Sequence, residues 1–113
     1  MTSIETTEIK SDALIPGVPD QAAVRLLKSL TQHPRVAVIW LYGSRAMGRH
    51  RPGSDIDLCL DGEGITHSDR LTLMAQIDDL LLPWQVDLSL RRELPAELLA
   101  HINRVGRCLW QQQ

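Results

Sequence analysis

The sequence predicts an α/β (α+β) domain in which a mixed sheet of three to four strands is backed by helices. Three observations carry this. The run at 36–42, VAVIWLY, is apolar throughout and rich in β-formers, as in a central strand covered on both faces. Residues 84–90 alternate, with Val86, Leu88 and Leu90 on one face and Asp87 and Ser89 on the other. Around these runs apolar residues recur at helical spacing, at Ala23, Leu26, Leu27 and Leu30 and again at Leu73, Met74, Ile77, Leu80 and Leu81.

Taken in order, 1–18 reads as a flexible N-terminal tail without sustained periodicity, ending in the punctuated segment Ile15-Pro16-Gly17-Val18-Pro19. A single domain follows over 19–113. Its first helix starts at Pro19-Asp20, where proline suits an opening turn, and stops near His33-Pro34. The strand at 36–42 runs into Gly43-Ser44, a turn or two of helix around Ala46 and Met47, and the breaker Arg51-Pro52-Gly53. A second strand spans 54–61. Thr66 and Asp69 have the spacing of a capping box before the second long helix, which Pro83 is expected to end. After the strand at 84–90, Pro95 opens a last helix with Leu98, Leu99, Ile102 and Val105 inward, Gly106 caps it, and 107–110 reads as a short edge strand. The joint between the first two strands is near the minimum for a parallel crossover, so parallel and mixed sheets both stay open.

Composition narrows the function classes. With 113 residues, 43% hydrophobic and 23% charged, the chain has the make-up of an ordinary globular domain. A net charge of −2 gives no basic field for a nucleic-acid partner, and none is expected. No apolar run approaches the ~20 residues of a membrane helix. The first twelve residues lack the basic and apolar regions of a secretory signal, so a cytoplasmic location is expected. Cys59 and Cys108 have no metal-ligand spacing and are expected to be reduced thiols, with their pairing left open. His33, His50, His67 and His101 are dispersed singles with no ligand pattern.

The chemistry concentrates at 41–61, LYGSRAMGRHRPGSDIDLCLD. Asp55 and Asp57 stand one residue apart on the expected second strand, so its period of two sends both carboxylates to one side. Neighbouring carboxylates repel unless a cation lies between them, and hard oxygen ligands suit Mg²⁺. Gly43-Ser44 closes a strand and opens a helical segment, which aims backbone N–H groups at an anion. Metal beside anion points to a nucleoside triphosphate. Two rival motifs fail on counting. Gly43-x4-Gly48 is followed by Arg49 and His50 where a P-loop needs Lys and Ser or Thr, and an EF-hand starting at Asp55 would need Asp or Asn at Cys59 and Gly at Leu60.

What remains is Gly43-Ser44-Arg45-Ala46-Met47-Gly48, then Ser54-Asp55-Ile56-Asp57-Leu58, then Asp87 in VDLSL. This combination resembles the polymerase-β nucleotidyltransferase superfamily, and within it the minimal nucleotidyltransferases, over about 20–110. LPWQVDL and INRVGRCLW are similar to the small two-component members. The resemblance implies a polymerase-β-like fold, with Gly43, Ser44 and Arg45 at the nucleotide and Asp55, Asp57 and Asp87 as catalytic carboxylates holding two Mg²⁺ ions. It makes ATP the expected substrate and Asp87 a help in deprotonating the acceptor hydroxyl.

The sequence offers no second domain to bind an acceptor, so another chain is expected to complete the site. In the resembled family that chain is typically a small helical HEPN protein. The expected function is AMP transfer from ATP to a tyrosine of that toxin, by an antitoxin that forms an oligomer with its partner or with itself. Two alternatives stay open: a two-chain transferase acting on a small molecule, and a non-catalytic antitoxin that neutralises by binding.

Overall fold

The computed structural model describes residues 13–113. Four strands, β1 (Val38–Tyr42), β2 (Ile56–Asp61), β3 (Val86–Leu90) and β4 (Arg107–Gln111), form one sheet. Around it lie α1 (Asp20–Thr31), the single turn α2 (Gly43–Ala46), α3 (His67–Asp78) and α4 (Ala96–Val105). The spatial order is β3-β2-β1-β4. β1 runs antiparallel to both β2 and β4, and β2 runs parallel to β3. The sheet is therefore mixed. The joint from β1 to β2 makes only α2 and a loop before turning back, whereas the longer joint from β2 to β3 has room for α3 as a parallel crossover.

Both faces are covered, which is why 36–42 shows no alternation. On one face Ile39, Leu41, Ile56, Leu58, Leu60, Leu88 and Leu90 pack against Ala23, Leu26 and Leu30 of α1 and Leu73 and Ile77 of α3. On the other, Tyr42 and Cys59 pack against Ile102 of α4, with Trp40, Leu94 and Leu98 alongside. The capping box forms as expected: Asp69 N–H donates to Thr66 Oγ1 at 3.1 Å, and Thr66 N–H to Asp69 Oδ2 at 3.0 Å. Arg35 adds a two-pronged bond to the same carboxylate, 3.0 and 3.1 Å, and holds its pKa well below the usual range. This ties the start of α3 to the approach to β1. Among the described residues no helix is long and apolar enough to cross a membrane.

Several boundaries differ from the sequence reading. Residues 1–12 of the expected tail lie outside the described residues, but Ile15 and Val18 are buried in the main core, so the packed body begins before residue 19. The apolar side chains between the two prolines anchor this segment. Pairing of the first strand starts at Val38, not Val36. Finally, α3 stops at Asp78, well short of Pro83. Leu80 N–H bonds to Ile77 O and Leu81 N–H to Asp78 O, tightening the last turn, and Leu81 takes a left-handed conformation with φ +56. Leu81 is thus 87% exposed instead of lining the helix face. Gly106 does end α4, for a different reason from a left-handed cap: its φ is −65°, and a Cβ there would collide with the Ile102 carbonyl.

A leucine at φ +56 carries backbone strain that glycine does not. Leu81→Gly is expected to raise the unfolding free energy by roughly 0.5–1 kcal/mol in urea denaturation; a loss of stability would show that the leucine is held by contacts instead.

Candidate active site

The site is assembled where β1 hands over to α2. Gly43 has φ +76, and a Cβ on it would run into the Asp57 carboxylate. The glycine therefore serves two purposes: it turns the chain from strand to helix within one residue, and it leaves room for Asp57. Ser44 follows, half-buried, on a turn whose N-terminus has no side-chain cap from Tyr42.

Register builds the rest. Tyr42 lies opposite Asp57 in the antiparallel pair, and Asp57 lies opposite Asp87 in the parallel pair. These three residues form a row across β1, β2 and β3, on the face away from α1 and α3. The next row along the same face holds Trp40, Cys59 and Ser89. Asp55 lies one residue before β2 instead of on it, and is exposed; the strand begins where Ile56 N–H bonds to Gln85 O at 2.9 Å. Asp87 is exposed at the edge strand.

Asp57 is the electrostatic centre. Burial pushes its carboxyl up to about 6, the negative fields of Asp87 and then Asp55 add to the rise, and Arg45 opposes it. Burial likewise raises the Tyr42 phenol, with its hydrogen bond to Ser89 opposing and the fields of Asp87 and Asp57 adding. The phenol is thus held neutral. Its hydroxyl shares a 3.2 Å hydrogen bond with Ser89 Oγ, and the His101 ring of α4 meets it edge-on, with centroids 6.4 Å apart. Cys59 beneath is fully buried, and burial pushes its thiol up to about 11, which makes it a poor nucleophile.

Arg45 is engaged by the backbone. The resemblance implies nucleotide binding, but the side chain is 1% exposed and its guanidinium serves the backbone. Nη1 donates to Pro16 O at 2.7 Å, Nη2 to Ser54 O at 2.8 Å and to Pro52 O at 3.3 Å, and Nε to Ser54 O at 3.3 Å. It clamps the segment before α1 to the loop leading into β2. A planar fork with five donors suits three carbonyls; the sequence motif alone cannot distinguish that use from a phosphate contact. Trp84 Nε1 also donates to Pro52 O, at 3.2 Å, tying the start of β3 to the same loop.

Among the described residues no three His, Cys, Asp or Glu side chains are already drawn together as a metal-ligand cluster. The backbone nonetheless places Asp55, Asp57 and Asp87 at one end of β2 and β3, and the Asp57 carboxyl, raised first by burial and then by the fields of Asp87 and Asp55, is a place where a cation would relieve unfavourable charge. An all-oxygen donor set suits a hard divalent cation. In their chemistry these donors fit such a cation. Sequence reasoning did not single out Tyr42 or Ser89 as site residues; Ser89 was on the polar face with Asp87, and its partner could be named only once the strand order was known.

A mixed sheet carrying carboxylates on two parallel strands, beside a Gly-Ser turn at the end of a third, defines a nucleotidyltransferase site. The chain belongs to the polymerase β nucleotidyltransferase family, whose model ("Polymerase beta, Nucleotidyltransferase") matches residues 25–113. No curated protein matches the sequence. Among solved structures it is similar to a toxin–antitoxin crystal structure with AMP-PNP, at 25% identity and TM-score 0.66 over 85% of this chain and 76% of that one. The fold also matches a complex of tri-AMPylated Shewanella oneidensis HEPN toxin with MNT antitoxin, at 22% identity and TM-score 0.65 over 85% and 75% of the two chains. A third match is a toxin–antitoxin MntA–HepT structure, at 23% identity and TM-score 0.62 over 82% and 73%.

The raised Asp57 carboxyl has a stability consequence whose sign is fixed. Below pH 3.8 the group is protonated folded and unfolded, so it costs nothing; between 3.8 and about 6 the unfolded chain releases its proton first, and stability falls as pH rises. Since the group is partly solvated, the full penalty is on the order of 1–2 kcal/mol. Asp57→Asn is expected to stabilise the cation-free protein by about that amount above about pH 6 and by nothing below pH 3.8, in urea unfolding across pH. A stabilisation that does not vary with pH would mean that the charge is not its source.

Proposed function

We propose that the protein is an Mg²⁺-dependent nucleotidyltransferase that transfers AMP from ATP to a hydroxyl of a partner protein, as the antitoxin of a HEPN toxin in the cytoplasm. The observation that carries the site reading is the register of Asp57 with Asp87 directly beside the Gly43 turn. The likeness to toxin–antitoxin complexes, one with AMP-PNP and one with a tri-AMPylated HEPN toxin, supports the donor and the partner.

In this reading Gly43 and Ser44 bind the triphosphate through the backbone of the α2 turn, whose N-terminus has no side-chain cap. Asp55, Asp57 and Asp87 would hold the cations, whose chemistry when bound would be to offset phosphate charge and acidify the attacking hydroxyl. Asp87, exposed on the edge strand, takes the proton of the acceptor hydroxyl as its oxygen bonds to the α-phosphorus and the bond to pyrophosphate breaks. Arg45 supports the loop through Pro16 O and Ser54 O and adds a fixed positive field at Asp57.

The test is incubation of the purified pair with ATP labelled at the α-phosphate and Mg²⁺. Label is expected on a tyrosine of the partner, reduced at least ~100-fold by Asp57→Ala. Label on a metabolite would instead identify a small-molecule acceptor. Full rescue from toxicity by Asp55→Ala with Asp57→Ala at matched expression would identify an antitoxin that works by binding alone.

A further inference from the structure

The Tyr42–Ser89 hydrogen bond joins strands that are not neighbours. With the order β3-β2-β1-β4, β2 lies between them, so the bond bridges two strand spacings, on the order of 10 Å of sheet. A long, flat side chain can cross that gap when the residue beneath it is small. Here Cys59 of β2 is that residue, in the same buried cluster as Tyr42. His101 of α4 and Ile102 in the cluster leave the ring little freedom.

The placement matters because β3 is an edge strand, laddered to the sheet on one side only. Ser89 lies two residues beyond Asp87 on the same face, and Tyr42 lies directly opposite Asp57. The bond thus closes a loop of constraints through both carboxylate-bearing strands. One hydroxyl proton is used between the two oxygens, and the other remains for an acceptor beside the carboxylate row.

We propose that Tyr42 and Ser89 are a positioning pair, a strut over β2 that fixes the offset of Asp87 from Asp57 and so sets how tightly the row binds a divalent cation and how fast it transfers a nucleotide. The proposal rests on the reading of the row as a cation site. Neither residue touches the nucleotide: the strut acts through the two aspartates, as hydrogen-bonded neighbours act on metal ligands.

The experiment uses the full chain with its partner, in wild type, Tyr42→Phe, Ser89→Ala and the double variant. Mn²⁺ affinity is read by electron paramagnetic resonance, and kcat and KM for ATP are measured separately. Each single variant is expected to weaken Mn²⁺ binding and lower kcat by ~10-fold, with KM for ATP within about 2-fold of wild type. The double variant is expected to be no worse than the more affected single one, because both remove the same bond. A wild type that binds no Mn²⁺ would overturn the reading of the row and the strut with it. A wild type that binds Mn²⁺, with a Tyr42→Phe that binds and turns over equally well, would overturn the strut alone. Losses that multiply in the double variant would also overturn it.

Discussion

The parallel pairing of β2 with β3 puts Asp57 opposite Asp87, and the site is built around the burial and the crowding of negative charge that this pairing imposes on Asp57. A half-buried carboxyl raised to about 6 by burial and by its acidic neighbours is a poor structural choice. It makes chemical sense where a cation supplies the missing charge. The fold tolerates the conflict because both strands are secured from below by Ile56, Leu58, Leu60, Leu88 and Leu90, on the face packed against α1 and α3.

Several features around the row keep this conflict local. Gly43 leaves the space that Asp57 occupies, Arg45 gathers Pro16, Pro52 and Ser54, and Trp84 holds the same loop from the start of β3. Three stretches distant in sequence thereby meet at one loop next to the carboxylates. The buried guanidinium also lends Asp57 a fixed positive field, so the clamp is part of the site's electrostatics without being a ligand.

Much of this was legible in the sequence, for identifiable reasons. Gly43, Ser44, Asp55, Asp57 and Asp87 stand in a spaced motif, the apolar runs carry clear periodicities, and Thr66 with Asp69 forms a local cap that needs no tertiary knowledge. The strand order β3-β2-β1-β4, the burial of Ile15 and the use of Arg45 were not legible, because each depends on which strands become neighbours or on a partner distant in sequence. Arg45 sits inside the motif yet bonds to Pro16 O, 29 residues away. The end of α3 was misread because Leu80 and Leu81 continue its apolar spacing while the backbone has already left the helix.

The most direct measurement is the thermal unfolding midpoint of the wild-type protein and of Asp87→Asn, titrated with Mg²⁺ at neutral pH against KCl of matched ionic strength. A cation held by the row stabilises the folded state by mass action, about 2.7 kcal/mol at a hundred times the dissociation constant. The wild-type midpoint should therefore climb with Mg²⁺ while that of Asp87→Asn climbs much less. Equal curves for the two proteins, or a wild type that responds to Mg²⁺ no more than to KCl, would contradict a cation site at Asp57 and Asp87.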